Sequence, residues 1–264
     1  MTREKDRKHF SRDTSAQPFG QNTWLVNVYN IATEQWCGGA MISPYHALTA
    51  ADCLKNKDGL VLEKADLDNV RIFWNLTCSN NYIDILYCLP DKLSDIVENT
   101  RAKAYVLPSA YAQDKAANNI AIVEMKKKAP DSVGYTCIPS PTGTLLANSK
   151  LSAVVNNNIN FMSCYTLKNI TLNDRLRKHD NRYLLNATEE FASVPGHPWQ
   201  LYNASKYTLV GLAVGGSKKT ALDIMSWINF ICAHTRVCPA GYEVHTMLDN
   251  FYLNGVLHDV YDDY

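Results

Sequence analysis

The sequence predicts an all-β protein, a sandwich or a barrel, and three observations carry that expectation. Short apolar runs recur from Trp24 onward, each rich in β-branched and aromatic residues and each ended by Asn, Gly, Pro or Lys. A single segment, close to the C-terminus, carries a helical period, so strands do not alternate with helices as they do around a parallel sheet. The composition is globular, with 264 residues, 46% apolar and 20% charged, enough for one large all-β domain or two small ones.

Along the chain, residues 1–20 are polar and charged and read as a tail. "TWLVNVYN", "GAMISPYHALTA", "NVRIFWNL", "NNIAIVEM", "KLSAVV" and "YTLVGLAVGG" then read as strands. In "TALDIMSWINFICAHTR", Ala221, Met225, Ile228 and Cys232 share one helical face with Leu222 and Ile231 beside them, and Thr220 and Asp223 form a capping pair. Residues 239–264 follow as an extension with an acidic tip.

Charge and cysteine usage narrow the class. With 26 basic and 26 acidic residues the chain lacks the basic excess of a nucleic-acid binder, and Lys126–Lys128 reads as a solvated loop. No run approaches the ~18 apolar residues of a membrane span. Seven histidines are scattered singly, which predicts no metal site, and nothing points to a cofactor. Eight cysteines, an even number without a C-x-x-C pair, read as disulfides of an oxidising compartment. Four N-x-S/T sequons, at Asn75, Asn169, Asn186 and Asn203, agree with that reading. The start, "MTREKDRKHFSRD", is charged and does not read as a signal peptide, so a mature chain or a late start is expected.

The stretch "CGGAMISPYHALTAADC", Cys37–Cys53, resembles the trypsin-like (chymotrypsin-fold) serine proteases, in which the same pattern ends in Thr-Ala-Ala-His-Cys. "TWLVNVY" resembles that family's first core strand, "NNIAIVEM" its Asp-Ile-Ala-Leu-Leu segment, and "YTLVGLAVGG" the strand ending in Ser-Trp-Gly beside the substrate cleft. "SWINFICAHTRVC" resembles its C-terminal helix, in the form typical of the divergent nematode branch. The resemblance covers residues 21–238. It implies two antiparallel six-stranded β-barrels, about residues 21–135 and 136–220, with the active site between them and a C-terminal α-helix at about 221–234. It further implies a Cys37–Cys53 disulfide, with Cys78–Cys88 as a second pair. For Cys137, Cys164, Cys232 and Cys238 the three connectivities stay open.

Carried over residue by residue, the resemblance puts Asp52 where the family has its histidine base and Asn119 where it has the orienting aspartate. The nucleophile motif matches "SVPGHPW", which puts Pro195 at the serine. Proline has neither a hydroxyl nor a backbone N–H, so nucleophile and one oxyanion donor vanish together. A carboxylate is a weak base for a hydroxyl proton, and an amide cannot balance an imidazolium. The family's activation latch, a freed Ile-Val-Gly-Gly terminus against an aspartate, also has no counterpart: residues 10–22 lack it and Val194 precedes Pro195. A shifted Ser193 nucleophile with His197 as base lacks an acid to orient the histidine, and His46 reads as structural.

These substitutions predict no catalytic residue and a secreted, disulfide-bonded, inactive homologue that works by binding a protein or peptide. The cleft candidates are Glu189, with Glu190 beside it at the distance of a specificity-pocket base, and Val214, Gly215 and Gly216, whose edge can take a peptide by strand addition. A solvated loop at Glu189 and simple packing at Gly215 are the plainer readings. Two other functions stand beside this one: a hydrolase of residual or unusual activity, and a structural glycoprotein whose cleft is unused.

Overall fold

The computed structural model describes residues 24–74, 99–112, 114–140, 145–156, 165–177, 182–203, 206–244 and 250–258. Two closed antiparallel barrels of six strands each account for most of them, which is the architecture the sequence predicts. The first is built from β1 (Leu25–Asn30), β2 (Gln35–Ser43), β3 (His46–Thr49), β4 (Val70–Trp74), β5 (Asn99–Pro108) and β6 (Ala121–Met125). Its strands run β5-β4-β1-β2-β3-β6, and β6 returns to pair with β5. The second holds β7 (Lys150–Asn156), β8 (Tyr165–Arg177), β9 (Tyr183–Ala187), β10 (Pro198–Asn203), β11 (Lys206–Ala213) and β12 (Thr220–Asp223), closed by β10 on β7.

The period-2 pattern places the core. Val26 and Val28 of β1, Ala40 and Ile42 of β2, and Ile72 and Trp74 of β4 are buried in one cluster that runs on into Leu209, Leu212, Trp227 and Ile231. A second cluster fills the second barrel around Trp199, Leu151, Leu172, Val210 and Phe191. Burying a large apolar side chain stabilises by roughly 1.5–3 kcal/mol, so the clusters rather than the loops dominate stability.

Cys37 of β2 and Cys53 of a 3₁₀ turn at Ala51–Leu54 form the expected disulfide, with Cα atoms 6.1 Å apart. Cys232 and Cys238 form a second, with Cα atoms 5.0 Å apart, which selects the local bridge from the open connectivities. Cys78, Cys88 and Cys164 lie outside the described residues.

The C-terminal helix begins later than its periodicity suggests. Thr220–Asp223 form β12, with Ala221 opposite Leu185 and Leu222 opposite Leu184, so barrel closure overrides the helical pattern there. Asp223 then caps a 3₁₀ turn at Ile224–Trp227 by accepting from the Met225 N–H at 2.9 Å, and helix α1 spans Ile228–Thr235. Arg236, left-handed at φ 60°, ends it. The extension, read from the sequence only as a segment with an acidic tip, is partly ordered into strands. Here β13 (Phe251–Leu253) and β14 (Val256–His258) form a hairpin, and β13 pairs with β5 through Phe251 opposite Pro108 and Leu253 opposite Val106. No helix among the described residues is long and apolar enough to cross a membrane.

The disulfide prediction follows from loop closure. Cys37 and Cys53 are 16 residues apart. In the chain-entropy model a loop of that size contributes about 3 kcal/mol. The double variant Cys37→Ala, Cys53→Ala is expected to lose that much in urea unfolding, read as a lowered midpoint with the slope unchanged or steeper, since the uncrosslinked chain unfolds further.

Candidate functional site

The site is assembled at the join between the barrels, where the loop before β10 presses on β2. Gly38 donates from its N–H to the Pro195 carbonyl at 2.8 Å. A Cβ on Gly38 would sit 2.0 Å from Cδ2 of His197 and 2.8 Å from its Cα. Gly196 has φ 81°, and a Cβ there would lie 2.3 Å from the Gly38 carbonyl. Both glycines are required for this approach. The Gly38 carbonyl also accepts from the Thr49 hydroxyl at 2.6 Å.

This approach brings together the residues that sequence reasoning named. Asn119 clasps Asp52 at two points: its Oδ1 accepts the Asp52 N–H at 2.9 Å, and its Nδ2 donates to the Asp52 carboxylate at 2.7 Å. A Cβ on Gly215 would lie 3.1 Å from Pro195 Cγ and 3.6 Å from Asp52 Oδ2, so Asp52, Pro195 and Gly215 share one small space. Positions 52, 119 and 195 are thus juxtaposed, with a carboxylate, an amide and a pyrrolidine ring on them.

Two residues complete the cluster that sequence reasoning missed. Lys55 Nζ lies 2.5 Å from the Asp52 carboxylate, and the Tyr111 hydroxyl donates to the same oxygen. Lys55 Nζ also stands 4.8 Å from the centre of the Tyr111 ring. The i, i+3 spacing of Asp52 and Lys55 was readable in the sequence, whereas Tyr111, after β5, is brought in by the fold alone. Burial pushes the Asp52 carboxyl up. The hydrogen bonds from Lys55, Tyr111 and Asn119 and the Lys55 charge outweigh it, so the group sits below the ordinary carboxylate range. Burial and Asp52 itself push the Tyr111 phenol well up. The carboxylate is therefore ionised and hydrogen-bonded on both oxygens, a poor proton acceptor.

His197 anchors the loop rather than serving as a base. It is 2% exposed. Its Nδ1 faces the Val194 N–H at 3.4 Å, and the ring bonds to the Val154 carbonyl. Burial lowers its pKa to about 4, only partly countered by Val154. Ser193 turns its hydroxyl to the same Val154 carbonyl at 3.3 Å. Val194 is buried. His46 is remote from this cluster, with Nδ1 2.8 Å from the Ser43 hydroxyl and Glu124 opposite it across the ladder.

The cleft candidates separate. Val214 is buried, its N–H donating to the Thr220 carbonyl at 3.1 Å and its carbonyl accepting from Ser217 at 3.3 Å. Gly215 and Gly216 make no backbone hydrogen bond to another described residue. Glu189 is exposed and pairs with Lys168 at 3.0 Å, and Glu190 is exposed as well. An open depression lined by Thr33, Glu34, Gln35, Lys55, Asn56 and Lys57 adjoins the Asp52 network through Lys55. Among the described residues no group of three or more His, Cys, Asp or Glu could hold a metal.

The protein-family model described as Trypsin matches residues 12–72, the stretch that holds β1–β3, the start of β4, the Cys37–Cys53 disulfide and Asp52. No curated protein matches the chain.

His197 generates a pH prediction. Its folded pKa of about 4 lies below the ordinary 6.5, so between those values the unfolded chain binds more protons. Its contribution is full above pH 6.5 and is lost as pH falls toward 4. Burial lowers His234 in the same direction, and the raised Asp223 carboxyl works in the opposite one, so the test is differential. Between pH 7 and 4.5 the wild type is expected to lose ~2–3 kcal/mol more stability than His197→Gln in urea unfolding.

Proposed function

We propose that this chain is a secreted trypsin-like protease homologue that binds a protein or peptide and does not cleave it. One observation carries the reading: the three positions where the resemblance implies a catalytic triad lie together in space, yet hold Asp52, Asn119 and Pro195, with no hydroxyl or thiol among them. Pro195 supplies neither nucleophile nor N–H for an oxyanion. Asp52 is committed to Asn119, Lys55 and Tyr111. In other serine proteases, loss of the serine or histidine alone costs about a millionfold.

A retained binding surface supports the other half. Gly215, beside Pro195, and Gly216 make no backbone hydrogen bond to another described residue, which suits pairing with an extended peptide. Secretion is supported by the two disulfides. Of the proposed glycosylation sites, Asn169 is exposed on β8 and Asn186 half-buried on β9, while Asn75 and the Asn203 side chain lie outside the described residues.

The reading is tested by chemistry, by repair and by mass. A fluorophosphonate serine probe is expected to leave the native protein unlabelled; stoichiometric labelling would restore the hydrolase reading. The triple variant Asp52→His, Asn119→Asp, Pro195→Ser is expected to show no turnover of peptide esters above the unmutated protein. Its loop remains held by His197 against Gly38, and misplacement by about 1 Å can cost ~100-fold. Clear turnover would mean a preorganised cleft only recently silenced. Peptides enriched from a displayed library on the wild type should be lost on Gly215→Phe, whose side chain enters the space beside Pro195; equal enrichment would favour a structural glycoprotein with an unused cleft. Protein from its native fluid should carry glycan on Asn169, and an unglycosylated chain with free thiols would remove the secreted reading.

A further inference from the structure

On the outer face of the first barrel, β4 and β5 set Arg71 directly opposite Arg101. Like charges directly opposite across a ladder destabilise a sheet. Lys126 joins them, since its N–H bonds to the Arg101 carbonyl at 2.9 Å. One carboxylate serves two of them: Asp68 lies 2.6 Å from Lys126 Nζ and 3.6 Å from the Arg101 guanidinium. Arg71 has no ion pair of its own among the described residues, and burial and the Arg101 charge lower its pKa more than Asp68 restores it. Lys103, next along the face, is neutralised by Glu124 at 2.5 Å. Among the described residues the cluster therefore carries two positive charges in excess, on a chain whose formal net charge is zero, so this is local segregation and not composition.

We propose that this face binds a sulfated glycan chain, with the Arg71–Arg101 pair gripping a sulfate group. Two guanidinium forks on adjacent strands suit a tetrahedral oxyanion, which accepts paired N–H bonds from each. A bound oxyanion removes the repulsion that the pairing of Arg71 with Arg101 imposes. The disulfides place the chain in an oxidising compartment, and sulfated polysaccharides are the abundant polyanions outside the cell. The site is built from residues of β4 and β5 and from Lys126, just after β6, and shares none with the Pro195 cleft, so it stands or falls independently of the peptide-binding reading.

Immobilised heparin, with full-length protein, tests it. The wild type is expected to be retained and to elute with added salt, as screening of surface charges requires. The variant Arg71→Gln, Arg101→Gln should elute at loading salt, with heparin affinity down at least tenfold. Lys218→Gln, Lys219→Gln, on an exposed turn of the other barrel, should elute with the wild type. Inorganic sulfate should raise the melting temperature of the wild type and not of the double arginine variant, while without sulfate the single variant Arg71→Gln should melt at or above the wild type. Elution of the wild type at loading salt, or co-elution of the double arginine variant with it, would overturn the site. Equal retention on desulfated heparin, or binding of a DNA duplex as tight as heparin at equal charge, would overturn the sulfated-glycan assignment.

Discussion

The close packing of Gly38 against His197 and Gly196 is the constraint on which the rest of the molecule depends. No side chain fits on either glycine, because the two backbones approach to within the radius of a Cβ. That approach seats the Pro195 carbonyl on the Gly38 N–H and fixes where the second barrel sits against the first. Asp52 reaches Pro195 only because Cys53, the next residue, is tied to Cys37 beside Gly38. A buried neutral imidazole thus holds the loop in place. It avoids the several kcal/mol per ion that desolvating a charge pair costs, and in exchange it makes the loop sensitive to acid.

Two buried carboxylates show opposite electrostatic outcomes in one chain. Asp52 is partly exposed and surrounded by donors, so its charge is favoured. Asp223 is fully buried. Burial raises its carboxyl, although Arg175 and the Met225 N–H pull it down. Arg175 also stacks on Tyr183, 4.0 Å from the ring centre, and Arg182 on Trp227 at 3.8 Å. These contacts bind β8 and β9 to the turn that leads into α1, and they give Asp223 a structural task as the cap of that turn. Asp52, with its carboxylate edge toward Gly215, faces the cleft.

The C-terminal extension is held by the same logic of close packing. His234 on α1 lies between Phe230 at 4.8 Å and Phe251 at 4.6 Å, and Phe251 stacks on His258. Asn254, left-handed at φ 51°, accepts the Tyr105 N–H at 2.9 Å, and a Cβ on Gly255 would meet the Leu62 carbonyl at 2.8 Å. The hairpin therefore braces the end of β5 and the loop at Leu62, which flank the elements carrying Tyr111 and Lys55.

The sequence alone determined the all-β class, and the resemblance carried by its contiguous Cys37–Cys53 motif implied the disulfide that the structure holds, because alternating apolar runs and a contiguous motif are local properties of a chain. Periodicity misplaced the start of the C-terminal helix, since Ala221 and Leu222 suit a helix face and a closing strand equally, and only the Leu184 and Leu185 partners decide. Tertiary structure alone decided that Lys55 and Tyr111 close around Asp52, that His197 packs against Gly38, that the extension adds strands to the first barrel, and that Arg71 meets Arg101. Each of these joins residues that are distant in the chain or ambiguous in pattern, and their contacts exist only once two barrels have closed and packed at Gly38.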